Sequence, residues 1–240
     1  MKKIAFYVEG QTEQFFINKL LIEIAGQKNI QIQLEKFQGN RRPTKIIYPK
    51  TTAQPQNPQH YALVFDCSGD GSVRTRILEN FASLFSQGHS EIIGLLDLYP
   101  RTDLGKFENE LAHGTQRNGR VIVQPLPINT SLVVAVREIE DWFLAEGNHF
   151  TCIDVNLTNT LIEAGMLGFN PFTDNLTSRS NAAADDLKSV YQLVAKSYRK
   201  KKEKMERTVE CLDYANIYLN VRSRIAQLND LITKIDTFLT

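Results

Sequence analysis

Three acidic residues each end a short apolar run in the first hundred residues of the chain. Glu9 follows IAFYV, Asp66 follows YALVF, and Asp97 follows the apolar part of EIIGLLD. If these runs are parallel strands of one sheet, the acids lie at the same edge, where α/β proteins bind ligands. Adjacent carboxylates repel one another and require a cation, and Mg²⁺ prefers oxygen ligands. The pattern predicts a divalent-metal site, and the competing interpretation is that each acid is a polar loop residue or a helix cap.

The stretch REIEDWFLAE carries two further acids, Glu138 and Glu140. A divalent metal held by carboxylates can polarise a phosphodiester and stabilise the leaving oxygen. On a helix, residues two apart point about 200° from each other, so we expect only one to face the metal. The competing interpretation is that both are solvated charges on a helix.

The elements that must position these acids alternate between strands and helices up to about residue 145. Strands are predicted at 3–8, 29–39, 61–65, 91–100 and 121–128. Helices are predicted directly after Glu9 and at 72–87, 106–113 and 133–146. This alternation predicts an α/β fold with a mostly parallel sheet flanked by helices.

The chain divides into three parts by composition. Residues 1–146 form the predicted α/β domain, with a polar insertion at 40–60 in which only IIY is strand-like. A Gly-, Pro- and Asn-rich connector spans 147–184, and 185–240 form a helical C-terminal subdomain of two long helices. Apolar residues at 214–235 recur with heptad-like spacing. A helical hairpin within one chain is the preferred explanation, ahead of pairing in a homodimer.

Two basic stretches are candidates for contact with nucleic acid. Net charge is +1, so any basic surface must be local. Arg74 and Arg76 follow the glycine turn DCSGDGS at the start of a predicted helix, and a helix start can bind phosphate. Lys200, Lys201 and Lys202 lie in a predicted helix and could neutralise phosphates. Solvated helix faces are the competing explanation for both stretches.

The cysteines and the N-terminus indicate the compartment. Three cysteines, Cys67, Cys152 and Cys211, are far apart and odd in number, which predicts unpaired buried residues and a reducing cytoplasm. Apolar runs are shorter than a membrane span, and the N-terminus lacks the features of a signal peptide. A G-K-[ST] motif is also lacking, so we expect no nucleotide hydrolysis.

The order of four stretches resembles that of Toprim-domain proteins. They are YVEGQTEQFFINKLL, FDCSGDGSVRTRI, IIGLLDLYP and REIEDWFLAE, all within residues 1–146. The chain looks like the small Toprim-like nucleases of the OLD and RloB kind, which include proteins encoded beside ABC-type ATPases in bacterial phage-defence operons. The resemblance implies a Toprim-like fold, a metal-dependent nuclease acting on DNA or RNA in the bacterial cytoplasm, and an ATPase partner.

The resemblance also implies roles for individual residues. Glu9 matches the Toprim glutamate, which acts as acid/base or metal ligand, and Gly10 lets the backbone approach a phosphate. Asp97 matches the first aspartate of a D-x-D motif, but Tyr99 stands where the second aspartate is expected. Glu9, Asp97 and Glu140 are the implied ligands of Mg²⁺ or Mn²⁺.

Glu138 and Glu140 both match the late glutamates of the family, and Glu140 is preferred because it lies beside Trp142 and aligns with the family's F-E-x-W pattern. Arg137 stands where some relatives carry histidine. Two functions follow from these matches. The first is an active nuclease that uses Glu9, Asp97 and one or both late glutamates. The second is a catalytically degenerate Toprim subunit that binds or regulates an ATPase complex, and Tyr99 favours this alternative.

Overall fold

The structure is a computed structural model that describes residues 1–26, 28–38, 44–48, 55–69, 72–118, 120–199 and 201–240. The strands are β1 Lys2–Val8, β2 Ile30–Gln38, β3 Thr44–Tyr48, β4 His60–Asp66, β5 His89–Asp97, β6 Thr115–Arg117, β7 Arg120–Val123 and β8 Thr130–Ala135. The α-helices are α1 Gln11–Ala25, α2 Ser72–Ser86, α3 Leu104–His113, α4 Glu140–Ala145, α5 Phe150–Ile153, α6 Asn159–Ala164, α7 Ala183–Gln192, α8 Lys202–Cys211, α9 Tyr214–Leu219 and α10 Ala226–Leu239. Short 3-10 helices occur at Gly147–His149, Leu176–Ser178 and Val221–Arg224.

The main sheet has the strand order β3-β2-β4-β1-β5-β8 within the described part of the chain. Five of these strands run parallel, and β3 pairs antiparallel with β2 at one edge. The predicted fold class, an α/β fold with a mostly parallel sheet and a helical C-terminal region, is confirmed. In the parallel register Val8 lies beside both Asp66 and Leu95, so β4, β1 and β5 end at the same edge.

Alternating side chains give the sheet two apolar faces. On β1, Ile4, Phe6 and Val8 pack with α1 and the C-terminal helices, whereas Ala5 and Tyr7 pack with α2. This period of two is the pattern of a strand buried on both faces. The first cluster reaches Leu239, so the C-terminal helices and the sheet share one core.

The predicted helix at 133–146 is wrong over its first seven residues. Residues Thr130–Ala135 form β8, which pairs in parallel with β5, and α4 begins only at Glu140. The run VVAV is compatible with either structure, and its pairing at the sheet edge decides in favour of the strand. The strand predicted at 121–128 is shorter than expected: β7 ends at Val123, before two prolines. It pairs with β6 and not with the main sheet.

The two long C-terminal helices are each interrupted. The first stops at Gln192, passes through Ala195 with a φ of 55°, and resumes as α8 at Lys202. The second is divided into α9, a 3-10 turn and α10. Five of the heptad-like residues are buried in the shared core, and Tyr218 and Ile225 are partly buried against it; the five are Tyr214, Val221, Leu228, Ile232 and Ile235. The prediction of a continuous heptad seam is therefore wrong.

The polar insertion is described only in part. IIY lies in β3, as predicted, and residues 39–43 and 49–54 lie outside the described residues.

Two of the three cysteines contradict the prediction that they are unpaired. Cys152 on α5 and Cys211 at the end of α8 form a disulfide with a Cα–Cα distance of 5.6 Å, because these two helices pack together. Cys67 is free and buried, as predicted. The helices of the described segments are all too short or too polar to cross a membrane.

Candidate metal centre

Three buried carboxylates converge beside the end of β5. One oxygen from each of Asp97, Glu138 and Glu140 lies within 4.8 Å of the others. Asp97 and Glu138 are each 8% exposed, and Glu140 is fully buried at 0%. Three buried carboxylates at this distance repel one another when all are ionised. A cation or hydrogen-bond donors must offset that charge.

The local backbone explains why both glutamates contribute. Glu138 precedes α4 and Glu140 is its first residue, so the helical separation of about 200° does not apply. The expectation that only one of them could face the site is therefore wrong. The carboxylate of Asp97 accepts a hydrogen bond from the backbone N–H of Ile139, at 3.0 Å. This contact fixes the residue between the two glutamates beside the end of β5.

Donors from the C-terminal region orient the two glutamates. The backbone N–H of Ala184 donates to Glu138 Oε2 at 2.9 Å, and the hydroxyl of Tyr198 donates to Glu140 Oε1 at 2.7 Å. Burial, with the nearby Glu140 carboxylate, raises the pKa of Tyr198 well above its usual value, so the phenol stays a donor. Such donors commonly hold carboxylate ligands in place. No sequence pattern indicates this contact, because Tyr198 and Glu140 are 58 residues apart in the chain.

A pocket of about 280 Å³ opens beside the three carboxylates, at the carboxyl edge of the sheet. Asp97 lines it together with Glu9 and Asp66, so the three predicted strand-end acids do lie around one pocket. Glu9, which is partly buried, is not a member of the close group of three carboxylates. Asp66 is paired with Lys36 (2.9 Å between Nζ and Oδ2) and accepts the Ser68 N–H.

Gly10 lies in this pocket at the start of α1, in an extended conformation that any residue can adopt. A Cβ at Gly10 would lie 3.3 Å from Glu13 Oε2, so the nearest neighbour of this backbone is an acid. Glu13 and Lys36 both line the pocket and were not among the predicted site residues. The TE of VEGQTE was the signal for Glu13, whereas Lys36 lies on β2 and is brought to the site only by the sheet order.

The basic candidates lie in different surroundings. Arg76 forms an exposed pair with Glu79 on α2. Nε and Nη2 of Arg74 are buried and donate to no acceptor in the described part of the chain, and this burial lowers the pKa of Arg74. Lys201 and Lys202 are exposed, and Lys200 lies outside the described residues. The prediction that the lysine run lies within a helix is wrong for Lys201, which caps α8.

Arg137 holds the polypeptide around the site rather than joining the acids. It donates to Asp141 through Nε at 2.9 Å and to Asp186 through Nη1 at 2.9 Å. Arg179 makes two further bonds to Asp186. This buried network ties the segment that carries Glu138 and Glu140 to α7. Tyr99 is 42% exposed, and its N–H donates to the carbonyl of Arg137.

No family model, no curated protein and no solved structure matches the chain. The resemblance to Toprim nucleases therefore stays a prediction, and the interpretation of the site rests on its geometry.

The donor set of the cluster fits a hard divalent cation. All three groups are carboxylates, which suit Mg²⁺ and Mn²⁺ better than metals that prefer nitrogen or sulfur. A cation held by Asp97, Glu138 and Glu140 would offset their mutual repulsion. The cluster is therefore a candidate metal site.

Proposed function

We propose that the chain is a metal-dependent nuclease that hydrolyses phosphodiester bonds of DNA or RNA. The observation that carries the proposal is the group of three buried carboxylates beside a pocket at the carboxyl edge of a parallel sheet. We further propose that the chain is the effector of an anti-phage defence system and that an ABC-type ATPase partner controls it. The resemblance of four sequence stretches to Toprim nucleases supports that part.

Asp97, Glu138 and Glu140 would hold Mg²⁺ or Mn²⁺. When bound, the cation polarises the phosphodiester and stabilises the charge that develops on the leaving oxygen. Glu9, in the same pocket, is the proposed general base, its carboxylate accepting a proton from the attacking water. The sequence resemblance implies that Glu9 is also a metal ligand, whereas here Glu9 acts only as the general base.

Positive groups beside the acidic pocket are proposed to bind the phosphate backbone. Lys36 lines the pocket, and the exposed Lys201 and Lys202 precede Met205, which lines it too. This arrangement suits a polyanionic substrate. The lysines would bind its phosphates, and the carboxylates would hold the cation that contacts the phosphodiester.

A cleavage assay tests the proposal. Plasmid DNA and a structured RNA are each incubated with the purified chain in Mn²⁺, and again with excess chelator. We expect cleavage of at least one substrate, lost with chelator and in Asp97→Asn, and retained in Glu163→Gln. Glu163 is an exposed acid on α6, so this control makes the same change of charge away from the site.

A catalytically degenerate subunit of an ATPase complex is the second candidate. It is favoured by the hydrogen bonds that each carboxylate of the cluster already accepts from Ile139, Ala184 or Tyr198, because such donors can stabilise an acidic group that holds no cation. Cleavage of neither substrate, with Asp97→Asn at least as stable as the wild type, would favour this candidate.

A further inference from the structure

The chain from Tyr198 to Met205, called the basic segment below, contacts the candidate metal centre at one end and the pocket beside it at the other. Tyr198 is 2% exposed, and its hydroxyl donates to Glu140. Met205 is buried, lines the pocket, and accepts the hydroxyl of Thr12 at its sulfur. The two ends of the segment are therefore fixed against the two walls of the site, α4 and the start of α1.

Between these buried ends, the described residues are basic except for the exposed acid Glu203, and Lys204 is half-buried. Arg199, Lys201 and Lys202 all reach solvent. The carbonyl of Lys201 accepts the N–H of Met205 at 3.0 Å, so Lys201 lies one helical turn, about 5.4 Å, from a residue of the pocket wall. Lys204 also donates to Ser197, which joins the two ends of the segment. Positive charge is thus held next to the acidic pocket by short-range contacts.

We infer that Tyr198 is a positioning residue that links the carboxylate cluster to the basic segment. Its hydroxyl orients Glu140 for a cation, and the same contact holds Arg199, Lys201 and Lys202 where a nucleic-acid backbone enters the pocket. The inference rests on the proposed function and adds to it. Cation binding and backbone binding share one hydrogen bond, so loss of that bond weakens both.

The neighbouring Tyr191 provides a matched control. Its ring meets that of Tyr198 edge to face, with centroids 6.2 Å apart, so the two phenols share one aromatic cluster. The hydroxyl of Tyr191, however, pairs with Thr208 at 3.1 Å and not with an acid of the cluster. Tyr198→Phe and Tyr191→Phe therefore each remove one buried hydroxyl, and only the first removes it from the cluster.

The experiment measures two affinities for wild type, Tyr198→Phe and Tyr191→Phe. Calorimetry gives the Mn²⁺ affinity without nucleic acid. Fluorescence anisotropy gives the affinity for labelled DNA and RNA oligonucleotides in a buffer with EDTA. EDTA removes free divalent metal and so prevents metal-dependent cleavage. We expect Tyr198→Phe to lower the Mn²⁺ affinity about tenfold, the lower end of the effect of removing an outer hydrogen-bond partner. We expect it also to lower oligonucleotide affinity several-fold, whereas Tyr191→Phe leaves both near the wild-type values.

The outcomes separate this inference from the proposed function. If the wild type binds Mn²⁺ and Tyr198→Phe binds it equally well, the inference fails and the proposed function stands. A fall in only one affinity, or an equal fall in Tyr191→Phe, also overturns the link and shows that the hydroxyl has a local or merely structural role. If the wild type binds no Mn²⁺, the proposed function itself fails.

Discussion

The carboxylate of Asp97 accepts a hydrogen bond from the backbone N–H of Ile139, with 3.0 Å between oxygen and nitrogen. Ile139 lies between Glu138 and Glu140, so this one contact fixes the turn that carries both glutamates against the end of β5. A residue of the sheet, a residue that precedes α4 and the first residue of α4 thereby form one acidic group. Its geometry makes Glu138 a stronger candidate ligand than the sequence indicated.

Glu138→Gln should weaken Mn²⁺ binding more than Glu9→Gln does. Glu138 belongs to the close group of three carboxylates, and Glu9 lies in the same pocket outside that group. We expect at least a tenfold loss, about 1.4 kcal/mol, for Glu138→Gln and a smaller loss for Glu9→Gln, measured by calorimetry. If Glu9→Gln abolished binding and Glu138→Gln did not, Glu9 would be the ligand, as the sequence resemblance implies.

Asp186 should contribute to stability in a pH-dependent way. Burial raises the pKa of Asp186, but hydrogen bonds from Arg179 and Arg137 outweigh burial and set it below the ordinary 3.8. A carboxyl with a lowered folded pKa stabilises the fold above its unfolded pKa, and this contribution is lost as pH falls through the folded pKa. Urea denaturation should therefore show a larger loss of stability below about pH 4 in the wild type than in Asp186→Asn.

The comparison with Asp186→Asn is needed because burial raises the pKa of Asp141, a neighbour in the same network. That shift acts in the opposite sense, since a raised carboxyl pKa costs stability as pH rises. Parallel pH profiles for the two proteins would show that the pairs of Asp186 with Arg137 and Arg179 contribute no pH-dependent stability.

Gly94 should be required for the packing of α2 on β5. A Cβ at this position would lie 2.5 Å from Leu132 Cδ2 and 3.1 Å from both Ile77 Cδ1 and Val73 Cγ1. We expect Gly94→Ala to destabilise the protein by about 1–3 kcal/mol, because these core side chains must shift. Gly105 on α3 has only one atom near its would-be Cβ, Asp103 Oδ1 at 3.9 Å.

The same substitution at Gly105 is therefore the matched control. Gly105→Ala should be neutral or stabilising by up to about 1 kcal/mol, since alanine favours a helix. Thermal unfolding should show a lower melting temperature for Gly94→Ala and an unchanged or higher melting temperature for Gly105→Ala. Equal destabilisation by both would mean that space around Gly94 is not the cause.

The Cys152–Cys211 disulfide should stabilise the C-terminal region. It closes a loop with a sequence separation of 59 residues, for which the loss of chain entropy in the unfolded state amounts to roughly 4 kcal/mol. Urea denaturation of the wild type should show lower stability with a dithiol reductant than without it. Cys152→Ser, which cannot form the bond, should be equally stable in both conditions. If reductant left the wild type unchanged, the two cysteines would not be paired in solution.

The strand ends were predictable from sequence, because each apolar run stops at an acid. Glu9, Asp66 and Asp97 mark the carboxyl ends of three strands, and parallel pairing brings these ends to one edge. The boundary between β8 and α4 was not predictable. VVAVREIEDW carries an apolar pattern that suits a strand or a helix, and only pairing with β5 decides between them.

Contacts between residues far apart in the chain were also beyond the sequence. Tyr198 and Glu140 are 58 residues apart, and Lys36 and Asp66 meet because β2 pairs with β4. The disulfide depends in the same way on how α5 packs against α8. Side chains from such distant elements complete the site, so local pattern and spacing identified only some of its members.

Calorimetric titration of Mn²⁺ into the wild type and Asp97→Asn decides whether the carboxylate group is a metal site. The amide of Asn can still accept the Ile139 N–H, so the fold around the site should persist while one ligand charge is lost. We expect saturable binding to the wild type and to the Glu163→Gln control, and at least a tenfold weaker affinity in Asp97→Asn. Absence of binding to the wild type, or equal binding to all three proteins, would contradict a metal centre at Asp97, Glu138 and Glu140.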